Sequence, residues 1–309
     1  MHMKKVLLIR NYEGFTGGHL KVLHYMEHIR SSGFAMPRVL LTPNSIRDRS
    51  NIFLAYPDLV VDEPVPHELL FLGGQDWRTA AALGLLRADV PIVNLIQGTH
   101  HGNPDSPLRP WLRHFATRIC VGEEIKRAIT KTGEVNGPVH TIINGIEPLD
   151  DLRLPRSART VDIFISGVKD PVLARSVCGL LANTGLAVEV QTEACGRSEF
   201  LGKLRSAKAT VLLPFLQEGC HLPPLKAMAL DVAVVCSDTP GVHDYCRPNE
   251  TALLTDRSAE SLTEAALRLL TDEDLSARLR SNGLAMAQYY TLERERAAFL
   301  PILAQALGI

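Results

Sequence analysis

The 309-residue sequence is short of several features that would each have fixed its class. It has almost no net charge, with 33 Lys+Arg against 34 Asp+Glu, so there is no global field to attract a nucleic acid or an acidic membrane. No apolar run approaches the ~20 residues that a membrane-spanning helix needs. The sequence enters its first apolar run, Val6-Leu7-Leu8-Ile9, without a long signal core, so no targeting segment is expected. None of the six cysteines forms a CxxC pair, which points to reduced thiols in a cytoplasmic protein rather than to disulfides or zinc. A Walker A loop, a GxGxxG fingerprint and a GxSxG elbow are also missing, so ATP, NAD and serine-nucleophile readings lack their motifs.

What is present is an alternation of short apolar runs and helical patterns. Strands are expected at residues 6–10, 38–41, 69–72, 91–96, 118–121 and 139–143. The loop at residues 11–18 ends in Gly17-Gly18 and leads into a helix with Leu20, Leu23, Met26 and Ile29 on one face. Helices are also expected at residues 77–86 and 123–131. A stretch with prolines, charges and no period, residues 144–160, reads as a linker. The pattern then restarts, with strands at residues 161–166, 188–190, 210–213 and 233–236. Asp170-Pro171 is an N-cap followed by proline in the first helical position, opening a helix to residue 181. Further helices are expected at residues 223–229, 262–270 and 275–307, the last broken near Tyr290-Thr291. Runs this apolar belong to parallel sheets covered by helices. The expected architecture is α/β, with two doubly wound Rossmann-like domains facing a central cleft. The domains are residues 1–148 and 149–290, with a C-terminal helix, residues 291–309, crossing back to the first.

The most informative stretch runs from Leu213 to Ala229, LPFLQEGCHLPPLKAMA. It reads as a strand end, a loop and a helix start at Pro223-Pro224. The backbone N–H groups of Cys220, His221 and Leu222 would then lie near the positive end of that helix, a site for a phosphate or a polyhydroxyl group. Glu218 adds a carboxylate that can accept hydrogen bonds from sugar hydroxyls. An ordinary loop with an exposed glutamate is the alternative.

This segment resembles the nucleotide-sugar loop of GT-B glycosyltransferases, specifically the retaining family 4 (glycosyl transferases group 1). The similarity continues through Asp231–Asp244 and Asn249-Glu250-Thr251-Ala252-Leu253-Leu254. It is weaker in the first half, at Ile119–Glu124, Thr141–Ile146 and Gly17-Gly18. The resemblance implies transfer of a sugar from a UDP- or GDP-sugar to an acceptor hydroxyl, with retention and without a metal or other cofactor. The acceptor would be a saccharide, lipid-linked or small-molecule compound, held by the first domain, with the nucleotide in the second. Glu218 would contact the transferred sugar. Gly219 and the amides of Cys220, His221 and Leu222 would hold hydroxyls and phosphate, and Gly17 and Gly18 would let the diphosphate approach closely.

Three residues depart from the family pattern. Lys226 stands where a second glutamate would accept hydrogen bonds from the ribose. It could meet an extra negative group on the donor, point to solvent, or mark a loss of donor binding. Val168 replaces an expected cation, which leaves Lys169 to stabilise the leaving diphosphate, with Arg175 as a second cation. Gln97 stands where the family often has a histidine, with His100 and His101 just beyond it. His100 is the candidate for positioning sugar and acceptor. His101, His19, Glu13 and Gln97 are further candidates on the acceptor side. A metal site from His100, His101 and Asp105 is not expected. The alternative to an enzyme is an inactive GT-B pseudo-enzyme or partner subunit. An epimerase or phosphorylase lacks its carboxylates or phosphate cluster. The basic and aromatic residues Arg109, Trp111, Arg113, His114 and Phe115 would suit a membrane contact, but a helix with one buried face explains them as well.

Overall fold

The computed structural model describes residues 3–309. The chain divides into two compact units, one made of the residues up to Asn144 together with Leu292–Ile309, the other of Gly145–Thr291.

The first unit contains β1 (Lys4–Arg10), α1 (Gly17–Arg30), β2 (Ala35–Leu41), β3 (Val60–Val61), β4 (Leu69–Gly73), α2 (Asp76–Ala82), β5 (Ile92–Ile96), β6 (Thr117–Cys120), α3 (Glu123–Thr130) and β7 (Val139–Thr141). Its seven parallel strands lie in the order β3-β2-β1-β4-β5-β6-β7. The second unit contains β8 (Val161–Ser166), α4 (Pro171–Leu181), β9 (Val188–Gln191), α5 (Arg197–Ser206), β10 (Ala207–Leu212), α6 (Pro223–Ala229), β11 (Ala233–Ser237), β12 (Leu253–Thr255), α7 (Ala259–Thr271) and α8 (Glu273–Tyr289). Its five parallel strands run β12-β11-β10-β8-β9. The last helix, α9 (Leu292–Leu307), belongs to the first unit.

Central strands are apolar on both faces because helices cover both. In β8, Ile163 and Ile165 pack with Ala174, Val177 and Leu262 on one side, while Phe164 packs with Leu204, Leu225 and Met228 on the other. Each such side chain contributes about 1.5–3 kcal/mol by leaving water. In each unit the strand order reverses beside the first strand, between β1 and β4 and between β8 and β10. Crossovers leave in opposite directions at such a switch point and open a crevice beyond the carboxyl ends of the two strands.

Each unit also has one buried arginine that binds loops through backbone carbonyls. Arg118 is 0% exposed and donates to the carbonyls of Trp111, Leu112, His114, Ala116 and Asn136. Arg159 does the same for Leu154, Ala207, Leu230 and Asp231. The carbonyl dipoles satisfy the terminal guanidinium nitrogens where no water reaches.

Helix α9 docks on α1 by a buried ion cluster. Glu295 accepts from Lys21 Nζ at 2.7 Å and lies 3.1 Å from His28 Nε2. Phe299 meets the Tyr25 ring edge-on at 4.8 Å. Among the described residues no helix is long and apolar enough to cross a membrane.

Local expectations differ from the structure at several points. Gly17 and Gly18 form the first turn of α1 rather than its preceding loop, because Thr16 is the cap and accepts the His19 N–H at 3.2 Å. The helix expected to residue 86 ends at Ala82, where the chain turns through Gly84 at φ +66°. Helix α5 was not expected, since only Leu201 and Leu204 are buried along it and Gly202 interrupts it. The short β3 and β12 were likewise missed. Trp111 stacks on Trp77 at 5.4 Å.

Replacing Glu295 by leucine takes the carboxylate away from Lys21 and His28 while the ammonium stays buried. The expected loss is about 3–5 kcal/mol in chemical denaturation, and Lys21→Met in the same chain should restore much of it.

Candidate active site

The second unit's switch point brings two loops together. Ser166, the last residue of β8, pairs with Leu212 of β10, and the Leu213 N–H donates to the Ser166 carbonyl at 3.2 Å. Residues 167–170 and 213–222 therefore start side by side. The first loop turns tightly at Gly167, where a Cβ would come within 2.0 Å of the Ala174 Cβ. Asp170 then caps α4 by accepting the Leu173 N–H at 3.1 Å.

Lys169 from the first loop meets Glu218 and His221 from the second. The ammonium is ion-paired with Glu218 Oε1 and lies 3.1 Å from His221 Nδ1. Glu218 Oε2 accepts the Phe215 N–H at 3.1 Å and is 3.3 Å from His221 Nδ1. One imidazole tautomer accepts from the ammonium, and the other donates to the carboxylate. The Lys169 ammonium also stands 5.4 Å from the centre of the Phe215 ring, within cation–π range.

The electrostatics follow from this packing. Burial alone would raise the Glu218 pKa, but the His221 and Lys169 charges and hydrogen bonds outweigh it and bring it to about 2. Burial pushes the His221 pKa below its ordinary value, with Glu218 opposing.

The loop is anchored from three sides. Arg257 donates to the Pro214 carbonyl at 2.5 Å, to Asp170 Oδ2 at 2.6 Å and to Ser237 Oγ at 3.5 Å. The Tyr245 hydroxyl bonds the carbonyls of His221 and Gly241. A Cβ on Gly241 would stand 2.4 Å from the Glu218 carbonyl oxygen, so the close approach there needs glycine.

Of the three amides expected to meet a ligand, one is engaged within the protein. The His221 N–H is taken by the Gly241 carbonyl at 2.9 Å. Pro223 and Pro224 carry no N–H, and α6 is only seven residues long. His221 contributes its side chain instead. Gly219 is buried, while Cys220 and Leu222 are half-buried and pack on the core.

Lys226 does not point to solvent. It is 9% exposed, and its charge acts on Glu147. Burial would raise the Glu147 carboxyl pKa, but Lys226 and then Arg197, whose Nε lies 3.1 Å away, hold it below the ordinary value. Val168 is half-exposed, and Arg175 lies on the exposed side of α4.

In the first unit, Gln97 Nε2 donates to the Gly18 carbonyl at 3.3 Å and so touches the start of α1. No other side chain crowds Gly17. Glu13 is exposed and accepts from Asn11 at 2.7 Å. His100 is exposed, its pKa lowered by partial burial, with its ring 4.9 Å from that of His101. His101 and His19 are not surface groups. His101 is 4% exposed, and burial, then His100, lowers its pKa to about 3. His19 packs 4.8 Å from the Tyr12 ring, and burial, then Arg10, lowers its pKa to about 4. Both are neutral at neutral pH. Among the described residues no cluster of three or more His, Cys, Asp or Glu is arranged to hold a metal ion.

Sequence reasoning missed Arg257, Glu147, Tyr245 and the buried pair Arg10–Asp76, 3.0 Å apart beyond β1 and β4. Burial raises the Asp76 pKa to about 6 against the pull of Arg10 and the Gly73 N–H. The available signal was position: Arg10 ends β1, and Arg257 follows β12 directly.

Glu218 and His221 both bind fewer protons folded than unfolded in acid. Their stabilisation is thus present at neutral pH and lost as pH falls, through ~6.5 for the histidine and from ~4.5 towards 2 for the glutamate. In Glu218→Gln the fall in Tm between pH 5 and pH 3 should be shallower than in the wild type by several degrees, read by circular dichroism.

Comparison with known proteins matches this geometry to a family. Residues 153–272 match the family model described as glycosyl transferases group 1. No curated protein matches the sequence. HepE of Anabaena, solved in complex with UDP-glucose, superposes with a TM-score of 0.75 over 98% of this chain and 100% of its own, at 13% identity. Sucrose-phosphate synthase of Thermosynechococcus elongatus gives 0.69 over 99% of each chain at 15% identity. The α,α-trehalose 6-phosphate synthase of Burkholderia multivorans gives 0.68 over 99% of this chain and 98% of its own, at 13% identity. At these identities the likeness speaks for the fold. The chain thus has the GT-B fold, and its residues 153–272 match the model of the glycosyl transferases group 1.

Proposed function

We propose that the protein transfers a sugar from a nucleoside-diphosphate sugar to an acceptor hydroxyl with retention of configuration. The observation that carries this reading is the convergence of Lys169, Glu218 and His221 at the switch point of a unit that matches the glycosyltransferase family. The complex of HepE with UDP-glucose supports a UDP-sugar as the first donor to try.

In this reading the donor enters by exchanging partners with the cluster. Lys169 leaves Glu218 and meets the diphosphate, which gains negative charge as its bond to the anomeric carbon breaks. A fixed ammonium in a water-poor site stabilises that charge without reorganisation. The freed Glu218 carboxylate accepts hydrogen bonds from hydroxyls of the sugar, and its low pKa keeps it ionised. The acceptor attacks from the face the diphosphate leaves and gives its proton to the departing phosphate oxygen. The chain's own cations supply the positive charge, so no metal is required. The first unit would hold the acceptor beyond the carboxyl ends of its strands, with His100 and Gln97 positioning the hydroxyl.

A second reading, an inactive relative, is favoured by one observation. Glu218 is already satisfied by Lys169, His221 and the Phe215 N–H, and the His221 N–H is spent on Gly241.

Titration calorimetry of the full chain with UDP separates the two. A transferase should bind UDP saturably, and Lys169→Met, checked for folding by its thermal transition, should weaken binding about tenfold, near 1.4 kcal/mol. A folded wild type that takes up no UDP or GDP would leave the inactive reading.

A further inference from the structure

We propose that Val168, Phe215 and Leu216 form an apolar reading surface for the acceptor, which therefore carries an apolar aglycone or chain next to its reacting hydroxyl. This rests on the transferase reading above and names the acceptor class for that same site.

Three large apolar side chains stand exposed close in the chain to the half-buried charge cluster. Phe215 is 56% exposed, Leu216 64% and Val168 37%. Val168 precedes Lys169, and Phe215 and Leu216 begin the loop that carries Glu218, so all three leave the adjacent ends of β8 and β10. The neighbouring charges are paired with one another, which leaves the three side chains as an apolar rim beside a polar cluster. A ligand that matches it is amphipathic, with hydroxyls towards Glu218 and an apolar portion against the rim.

The rim is held in place. The Phe215 N–H is bonded to Glu218, the Pro214 carbonyl to Arg257, and the Phe215 ring lies beside the Lys169 ammonium. An aromatic ring fixed in this way loses little freedom when a ligand covers it. The patch is too small for a protein partner. Three side chains expose on the order of 300 Å², whereas a stable interface needs ~800 Å² from each side. It is ample for an alkyl or aryl group. Glu218 faces the transferred sugar in the reading above, so a rim three residues away lies at the reacting end, where the acceptor arrives.

The test is calorimetry on the full chain saturated with UDP. The probes are octyl β-D-glucoside below its micelle concentration and methyl β-D-glucoside. The wild type should bind the octyl compound at least about tenfold more tightly, and in Phe215→Ser/Leu216→Ser the ratio should fall below about twofold. An unchanged thermal transition shows that the variant is folded. Equal affinities in the wild type, no octyl glucoside binding, or a preference that survives in the variant overturns the proposal. Failure of the wild type to bind UDP overturns the transferase reading instead, and is seen before either glycoside is added.

Discussion

The ion pair between Lys169 and Glu218 is the contact on which the second unit's functional end depends. Each partner alone would be a charge in a water-poor setting, and removing one partner of such a pair costs more than the pair is worth as a stabiliser. The pair therefore fixes two loops against each other and yet remains exchangeable. A ligand that brings its own negative charge for Lys169 and its own donors for Glu218 can replace the internal contact without stranding either group. His221, 4% exposed, fills the space beside them and limits the positions the two can take.

Everything around the pair acts to keep it there. The order β9-β8-β10-β11 places the ends of β8 and β10 side by side at the reversal of winding. Gly167 makes the turn after β8 tight enough for Lys169 to reach across, and Gly241 lets the neighbouring loop touch the Glu218 carbonyl. Arg257 and Tyr245 then fasten the loop by its carbonyls, as Arg118 and Arg159 fasten loops elsewhere. The recurrent device is a buried cationic or hydroxyl donor gathering backbone acceptors, which orders irregular chain without a regular element.

Much of this was legible in the sequence. The strands from residue 161 to residue 166 and the helix from residue 223 to residue 229 have the bounds read from apolar runs and proline positions. Glu218 could be singled out as a carboxylate able to accept hydrogen bonds from sugar hydroxyls, and both it and Lys169 by the resemblance of their loops to the family pattern. What stayed hidden was pairing across the chain. No periodicity indicates that Lys226 lies by Glu147, 79 positions earlier, or that Glu295 is buried against α1. The amides of Cys220, His221 and Leu222 looked free because the Gly241 carbonyl that takes the His221 N–H lies 20 residues further on. The burial of His19 and His101 was not legible either, because it is a tertiary property.

The central claim is that Lys169 exchanges Glu218 for the diphosphate of a nucleotide sugar. The most direct measurement is a crystal structure of the full chain soaked with UDP-glucose. The account places a diphosphate oxygen within ~3 Å of Lys169 Nζ, with the Glu218 carboxylate turned from the ammonium to the sugar hydroxyls. Nucleotide bound elsewhere, with Lys169, Glu218 and His221 still closed on one another, would contradict it.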